Sequence, residues 1–171
     1  LVGSEMCIRD SLWVPVPPSS FAAMAGATVI GNLSASNITI GKSEYRQQLA
    51  ANQSARCVSA YLYAAAGPGE STTDLAWDGH AMIHENGNLL AESPRFSQQA
   101  QIIDSDIDLD RLAQDRMRLT SVSKNAAAHK EKILSFRKTE FDVDVPTGKI
   151  LLTREYPRFP YIPADPSKRD Q

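Results

Sequence analysis

Few side chains in this chain have the reactivity to do chemistry, and their spacing limits which chemistry that is. Its two cysteines are Cys7 and Cys57, far apart and in different segments. A thiol attacks an amide or nitrile carbon well when a base takes its proton and fixed donors meet the oxyanion that develops. Neither cysteine has a histidine beside it, and a cysteine's role is set by its environment. No CxxC pattern points to zinc, and two distant cysteines make no disulfide framework. "DSDIDLD", from Asp104 to Asp110, groups carboxylates as a calcium loop does. It has no Gly at the sixth position and no Glu at the twelfth, so no metal is expected. His80 follows Gly79 at the start of a strand-like run and reads as a satisfied structural histidine. Ser36 and Lys42 lie in a polar stretch behind an apolar one. On pattern alone they read as a turn serine and a solvated charge.

Bulk properties exclude several classes of function. A chain of 171 residues suits one ordinary domain, and 42% apolar with 22% charged residues is normal for a globular protein. The net charge of −2 gives no field that would draw nucleic acid or anionic lipid. No run of eighteen apolar residues exists, so no membrane-spanning helix is expected. The first eleven residues lack the basic and apolar regions of a signal peptide. A reducing cytoplasm is therefore the expected compartment.

The elements that must hold these residues follow an α/β order. Pro15, Pro17 and Pro18 close a short apolar run, and Ser19 or Ser20 is expected to cap a helix ending at Gly26. Thr28 to Ile30 reads as a buried strand, with "NLSASN" as its end loop opened by Asn32. Ser43 is the expected N-cap of a helix reaching about Ser59, with Tyr45, Leu49, Ala50, Cys57 and Ala60 on its apolar stripe. Val58 to Ala66 is a second buried strand. Asn86-Gly87 predicts a hairpin between Ala81–His84 and Asn88–Ala91. "QAQIIDSDIDLD" alternates like a strand with one wet face, and Asp108 is the expected cap of the helix behind it. Residues 121–139 read as a linker or exposed helix, 141–152 as a hairpin, and the proline-rich stretch from Pro157 as an extended arm.

This order carries phrases that resemble the carbon–nitrogen hydrolase (nitrilase) superfamily. "LWVPVPPS", "GATVIGNLSASNITIGK", "SARCVSAYLYAAAGPGESTTDLAWDGHAMIHENGNLLAES" and "RFPYIPADP" resemble, within it, the glutamine-dependent NAD synthetase family. The resemblance implies a four-layer α-β-β-α sandwich, here incomplete on its N-terminal side. It assigns 12–120 to the C-terminal part of a glutaminase domain and 121–171 to the connector towards a synthetase domain. It implies that ammonia is released from glutamine and used there to amidate deamido-NAD, with ATP and Mg acting in that second domain and no cofactor in this chain. Glutamine, that synthetase domain and a second copy of the chain are the partners it implies, with no nucleic acid and no membrane.

The family's nucleophile sits in a Cys-Glu-Asp triplet directly before the segment matching Leu12-Trp13. Counting back places it at Arg9, so Cys7 stands two residues early. Two residues along a strand move a side chain by ~7 Å, far outside reacting distance. Residues 1–11 match nothing in the family and are expected to be a non-native leader. The family's base glutamate and its lysine lie upstream as well. No catalytic residue is therefore expected in this chain.

What the resemblance does place here is substrate contact. Ser36 and Lys42 match positions that hold glutamine. Position 42 is commonly Arg in relatives, and Lys keeps the charge without the planar two-point fork. Trp13 matches an aromatic position just past the nucleophile and either walls the pocket or packs in the core. Cys57, on its helix's apolar stripe, reads as a buried inert thiol. Asn32 either holds the nucleophile loop or only caps its own.

Two other readings fit the pattern. One is a hydrolase of a different amide or nitrile, which has no use for the "FPYIPADP" tail. The other is a non-catalytic module of the same fold. A sandwich lacking strands leaves apolar faces and edges open, which template aggregation. The isolated chain is expected to be poorly soluble or molten. A sharp cooperative melt of a soluble monomer, followed by circular dichroism and sedimentation, would contradict this.

Overall fold

The computed structural model describes residues 3–8, 12–70, 75–140, 142, 153 and 154. The chain divides into two units, Leu1–Thr139 and Glu140–Gln171, and every element below lies in the first. The hairpin expected at 141–152 and the arm from Pro157 lie outside the described residues, apart from 142.

Five strands form one sheet in chain order. They are β1 (Gly3–Ile8), β2 (Ala27–Ser34), β3 (Ala60–Ala65), β4 (Ala81–Glu85) and β5 (Asn88–Glu92). β1, β2 and β3 run parallel, and β4 and β5 continue the sheet antiparallel. Parallel neighbours need crossovers, and helices supply them. α1 (Pro18–Met24) links β1 to β2, and α2 (Lys42–Cys57) links β2 to β3. α3 (Leu109–Arg118), α4 (Thr120–Ala128) and α5 (Lys130–Leu134) follow. Residues 3–8, expected to belong to a foreign leader, form β1, in which Cys7 pairs in register with Asn32.

Alternation sorts the sheet's faces. Ile30, Tyr61, Tyr63 and Met82 point to one face and are buried with Ala22 and Ala23 of α1 and Ala50 and Cys57 of α2. Among the described residues, the opposite face is covered at one end, where Ile107, Leu109 and Leu112 pack on Val29, Val58 and Ala60. Leu33 and Leu62, near its middle, stay 49% and 37% exposed. One sheet with α1 and α2 on one face and α3 at one end of the other accords with part of a four-layer arrangement.

Several local expectations are corrected. α1 starts behind Pro17 with no side-chain cap, since Pro18 at the first position has no N–H to satisfy. Ser19 and Ser20 instead accept hydrogen bonds from the Gln53 amide at 2.9 and 3.0 Å. α2 starts at Lys42 behind Gly41 (φ 76°), so Ser43 is inside the helix and not its cap. β2 runs on to Ser34, so Asn32 lies within the strand and donates to Tyr61 Oη at 2.9 Å. Residues 101–108 form no strand, and Ile102 is exposed. The stretch 120–134 is helical and exposed. The 81–92 hairpin forms as expected, with Asn86 (φ 46°) and Gly87 (φ 88°) in its turn. Asp108 Oδ1 caps α3 by accepting from the Arg111 N–H at 2.9 Å.

Arg116 ties α3 to the sheet. Its guanidinium donates to the carbonyls of Val58 (3.0 Å), Ala23 (3.3 Å) and Ala27 (2.5 Å). Val58 ends α2 at φ 46°, a strained conformation for a β-branched residue, and Arg116 helps hold it. Arg116→Ala is expected to cost about 2–4 kcal/mol in urea unfolding, because three carbonyls lose a charged donor at once.

His84, on β4, is buried with Nδ1 unpartnered. Burial lowers its pKa; Glu92 pulls it up, and His80 pushes it down further. The unfolded chain then binds the proton more tightly, so the contribution is fully present above the unfolded value of about 6.5. Stability should fall as pH drops below that value, levelling off below the folded pKa. His84→Phe should flatten this slope in melts between about pH 7 and 5.

Candidate functional site

The parallel strands β2 and β3 end on the same side, at Ser34 and Ala65. Ligand sites of open α/β sheets lie just outside such strand ends. The loop 35–41 leaves β2 there and enters α2, while 75–80 returns towards β4. The two segments are joined by Ile38 N–H donating to Ala76 O at 2.9 Å.

On the outer side, Lys42 Nζ donates to Asn37 Oδ1 at 3.1 Å and sits 4.9 Å from the centre of the Trp13 ring. Trp13 in turn lies 5.4 Å from Tyr45, its ring tilted by 55°. A cation over an indole face is held by the ring quadrupole. The arrangement therefore fixes a positive charge beside an aromatic wall. Lys42 is half-buried in this contact and is not a solvated surface charge.

On the inner side, Ser36 is buried and its Oγ has no hydrogen-bond partner. Beneath it is Tyr63, whose phenol is also buried and unpartnered. Burial pushes the Tyr63 pKa up. The Ser34 and Ser36 hydroxyls and the Arg46 charge lower it in part, although neither serine makes a well-formed bond to it. Arg46 stands 5.7 Å from the Tyr63 ring with no exposed surface. Its Nη1 reaches Asp78 Oδ1 and Oδ2 at 3.0 and 2.9 Å, and His80 Nδ1 at 3.4 Å. His80 Nε2 meets Glu92 Oε1 at 2.6 Å, which makes it the satisfied structural histidine expected.

The structure thus puts Trp13 directly against Lys42, and Ser36, in the strand-end loop that leads into α2, beside Tyr63. A fixed ammonium, a buried hydroxyl and an aromatic wall suit a small zwitterion with a carboxylate. Reading by pattern missed Arg46, Asp78 and Glu92, because an arginine on a helix is ordinarily placed on its wet face. The signal available was spacing: Arg46 lies four residues after Lys42, on the same side of α2.

Cys57 is remote from this cluster. It lies eleven residues beyond Arg46, about 16 Å along α2. It lines a groove with Val16, Phe21, Met24, Val122 and His129. Burial pushes its thiol pKa up, against a smaller pull from the Arg116 and Arg56 charges. It is a protonated, buried thiol, as its place in the helix pattern implied. A second cleft adjoins the strand end, between Ala65, Gly67, Gly79, Ser97 and Ile103. Among the described residues no group of three or more His, Cys, Asp or Glu side chains could hold a metal ion. Among them, too, no helix is long and apolar enough to cross a membrane.

Comparison with known proteins gives this geometry a context. No family model matches the chain. A glutamine-dependent NAD(+) synthetase of Mycobacterium tuberculosis is 52% identical over 167 residues, 98% of this chain. That of Mycobacterium leprae is 51% identical over the same length. The one from Saccharomyces cerevisiae is 27% identical over 156 residues, 91% of this chain and 20% of its own. The chain spans 24% of the length of the mycobacterial relatives. Among solved structures, a carbon–nitrogen hydrolase from Helicobacter pylori matches 76% of this chain and 48% of its own, with a TM-score of 0.57 and 13% identity. A glutamine-dependent NAD+ synthetase from Acinetobacter baumannii, in complex with ADP, matches 55% of this chain and 18% of its own at 0.50 and 19%. These two likenesses concern the fold. Over 98% of its length the chain is thus similar to glutamine-dependent NAD(+) synthetases, of whose length it spans 24%, and its fold is similar to that of a carbon–nitrogen hydrolase.

Proposed function

We propose that this chain is the substrate-cradling part of a glutaminase domain that supplies ammonia for the amidation of deamido-NAD. The observation carrying this reading is the Lys42–Trp13 contact beside the buried Ser36 hydroxyl, at the three positions that the family resemblance marks for glutamine. Lys42 meets the α-carboxylate of glutamine, Ser36 meets its α-amino or α-carboxylate group, and Trp13 walls the aliphatic part. In this reading 12–120 belong to the glutaminase domain and 121–171 to the connector towards a synthetase domain.

Hydrolysis by this family needs a thiolate nucleophile, a base and a lysine at the oxyanion. Cys7 stands two positions ahead of the nucleophile's place, so we assign it no role, and this chain by itself holds substrate without cleaving it. ATP and Mg belong to the amidation step. The described residues offer them no acidic metal cluster, and the sequence carries no glycine-rich phosphate loop, so no step is assigned to them here. A reducing cytoplasm is the compartment this biosynthetic role implies. A homo-oligomer is the assembly the family resemblance implies.

Glutamine titrated into the chain at low micromolar concentration should quench or shift Trp13 fluorescence saturably. Ser36→Ala should weaken binding about tenfold and Lys42→Met by at least as much, whereas Lys42→Arg should hold or tighten it. Cys7→Ala should change nothing. Absence of any saturable glutamine response in the parent chain would overturn the assignment, and release of ammonium that Cys7→Ala abolishes would overturn the reading of Cys7.

A further inference from the structure

We infer that Arg46 is the positioning residue of this site, setting the 35–41 loop through its buried ion pair with Asp78; the inference rests on reading Ser36 and Lys42 as the glutamine contacts. Arg46 and Asp78 have no exposed surface, and their atoms meet at 2.9 Å. A buried pair of this kind contributes little net stability, because desolvating both charges offsets their attraction. What such a pair does supply is a geometry: a guanidinium cannot lose its proton and must keep its carboxylate in place.

That geometry is transmitted in both directions. Arg46 is one helical turn beyond Lys42, so fixing it fixes the first turns of α2 and the rotation of Lys42 about the helix axis. Asp78 is held from its far side. Its carbonyl accepts from Phe96 N–H at 2.7 Å, and Arg95 lies 3.7 Å from its carboxylate. Around it the backbone forms a ladder: Ala66 N–H to Ser34 O, Gly79 N–H to Ala66 O, and Ile38 N–H to Ala76 O, at 2.9, 3.0 and 2.9 Å. The ion pair therefore closes a ring that runs from β2 through the 35–41 loop, α2 and Asp78 back to the strand ends. Ser36 and Lys42 both lie within that ring.

The remaining edge of the guanidinium, Nε and Nη2, has no hydrogen-bond partner and faces the same buried layer as Tyr63 and Ser36. An apolar side chain of similar length would fill this space without those unmet donors. Structural need alone therefore does not explain an arginine here.

The test replaces the pair as a pair. Arg46→Met with Asp78→Leu removes both charges and leaves no lone buried ion, so its melting temperature should stay within about 5 °C of the parent. In hydrogen exchange read by mass spectrometry, the segment containing Ile38 should exchange about tenfold faster or more, reflecting a loosened loop. Glutamine affinity should fall about tenfold. Arg46→Lys, which keeps the charge on a more flexible ammonium that reaches Asp78 from a different position, should fall between the two in both readouts. A paired variant that keeps both the slow exchange at Ile38 and the parent's glutamine affinity would overturn the inference. If the paired variant fails to fold, Arg46→Lys decides, and parental exchange and affinity there count against it. If the parent chain binds no glutamine at all, the site assignment falls, while Ile38 exchange still decides what Arg46 does.

Discussion

A guanidinium with no exposed surface is the feature on which the site end of this protein depends. Arg46 cannot be neutralised, so its burial requires a carboxylate at contact distance, and Asp78 provides it. Meeting that requirement draws the 75–80 segment onto the first turns of α2. It also places His80 between the pair and Glu92, linking the helix to the last strand of the hairpin. The polar chain crosses three elements that an apolar core would pack without fixing their rotation. Two loops leaving the ends of parallel strands are thereby held edge to edge, and a substrate pocket in an α/β sheet is built from such loops.

The rest of α2 works differently. Past Arg46 its inward residues are Ala50, Gln53, Ser54 and Cys57, small or amide side chains that let the helix lie close to Tyr61 and Met82. Gln53 binds both serines of α1 and approaches Cys57 Sγ at 3.2 Å, so α1 and α2 are joined by a polar contact inside an apolar layer. Among the described residues, the sheet's other face is finished at one end, by residues 107–112 and the Arg116 clamp. Its middle presents Leu33 and Leu62 to solvent, which is where a second sheet packs in a four-layer sandwich.

Much of the element order was legible in the chain. Buried parallel strands are continuous apolar runs, and β2 and β3 were read that way. Asn86-Gly87 accepts positive φ, and the hairpin followed. Asp108 precedes an amphipathic run, and it caps α3. The misses share a cause. Ser19, Ser20 and Ser43 are good caps locally, but Pro18 and Gly41 started the helices elsewhere, and Gln53 found another use for two of the hydroxyls. Residues 101–108 alternate like a strand, yet a strand forms by pairing with another, and alternation within one segment does not reveal whether it pairs.

For the site, the family resemblance marked Trp13, Ser36 and Lys42; residue types and spacing alone read Ser36 and Lys42 as a turn serine and a solvated charge, because a local pattern does not show what a side chain meets in the fold. The amino-acid sequence alone also determined that Cys57 would be buried, since it lies on the inward stripe of a helix. Tertiary structure decided everything that joins distant segments. It put the Lys42 ammonium over the Trp13 ring, 29 residues earlier in the chain, and it turned Arg46 inward to meet Asp78. A local pattern scores an arginine by its helix and an aspartate by its loop; only when β2, α2 and β4 are packed together do the two charges share a volume from which water is excluded, and there they must pair.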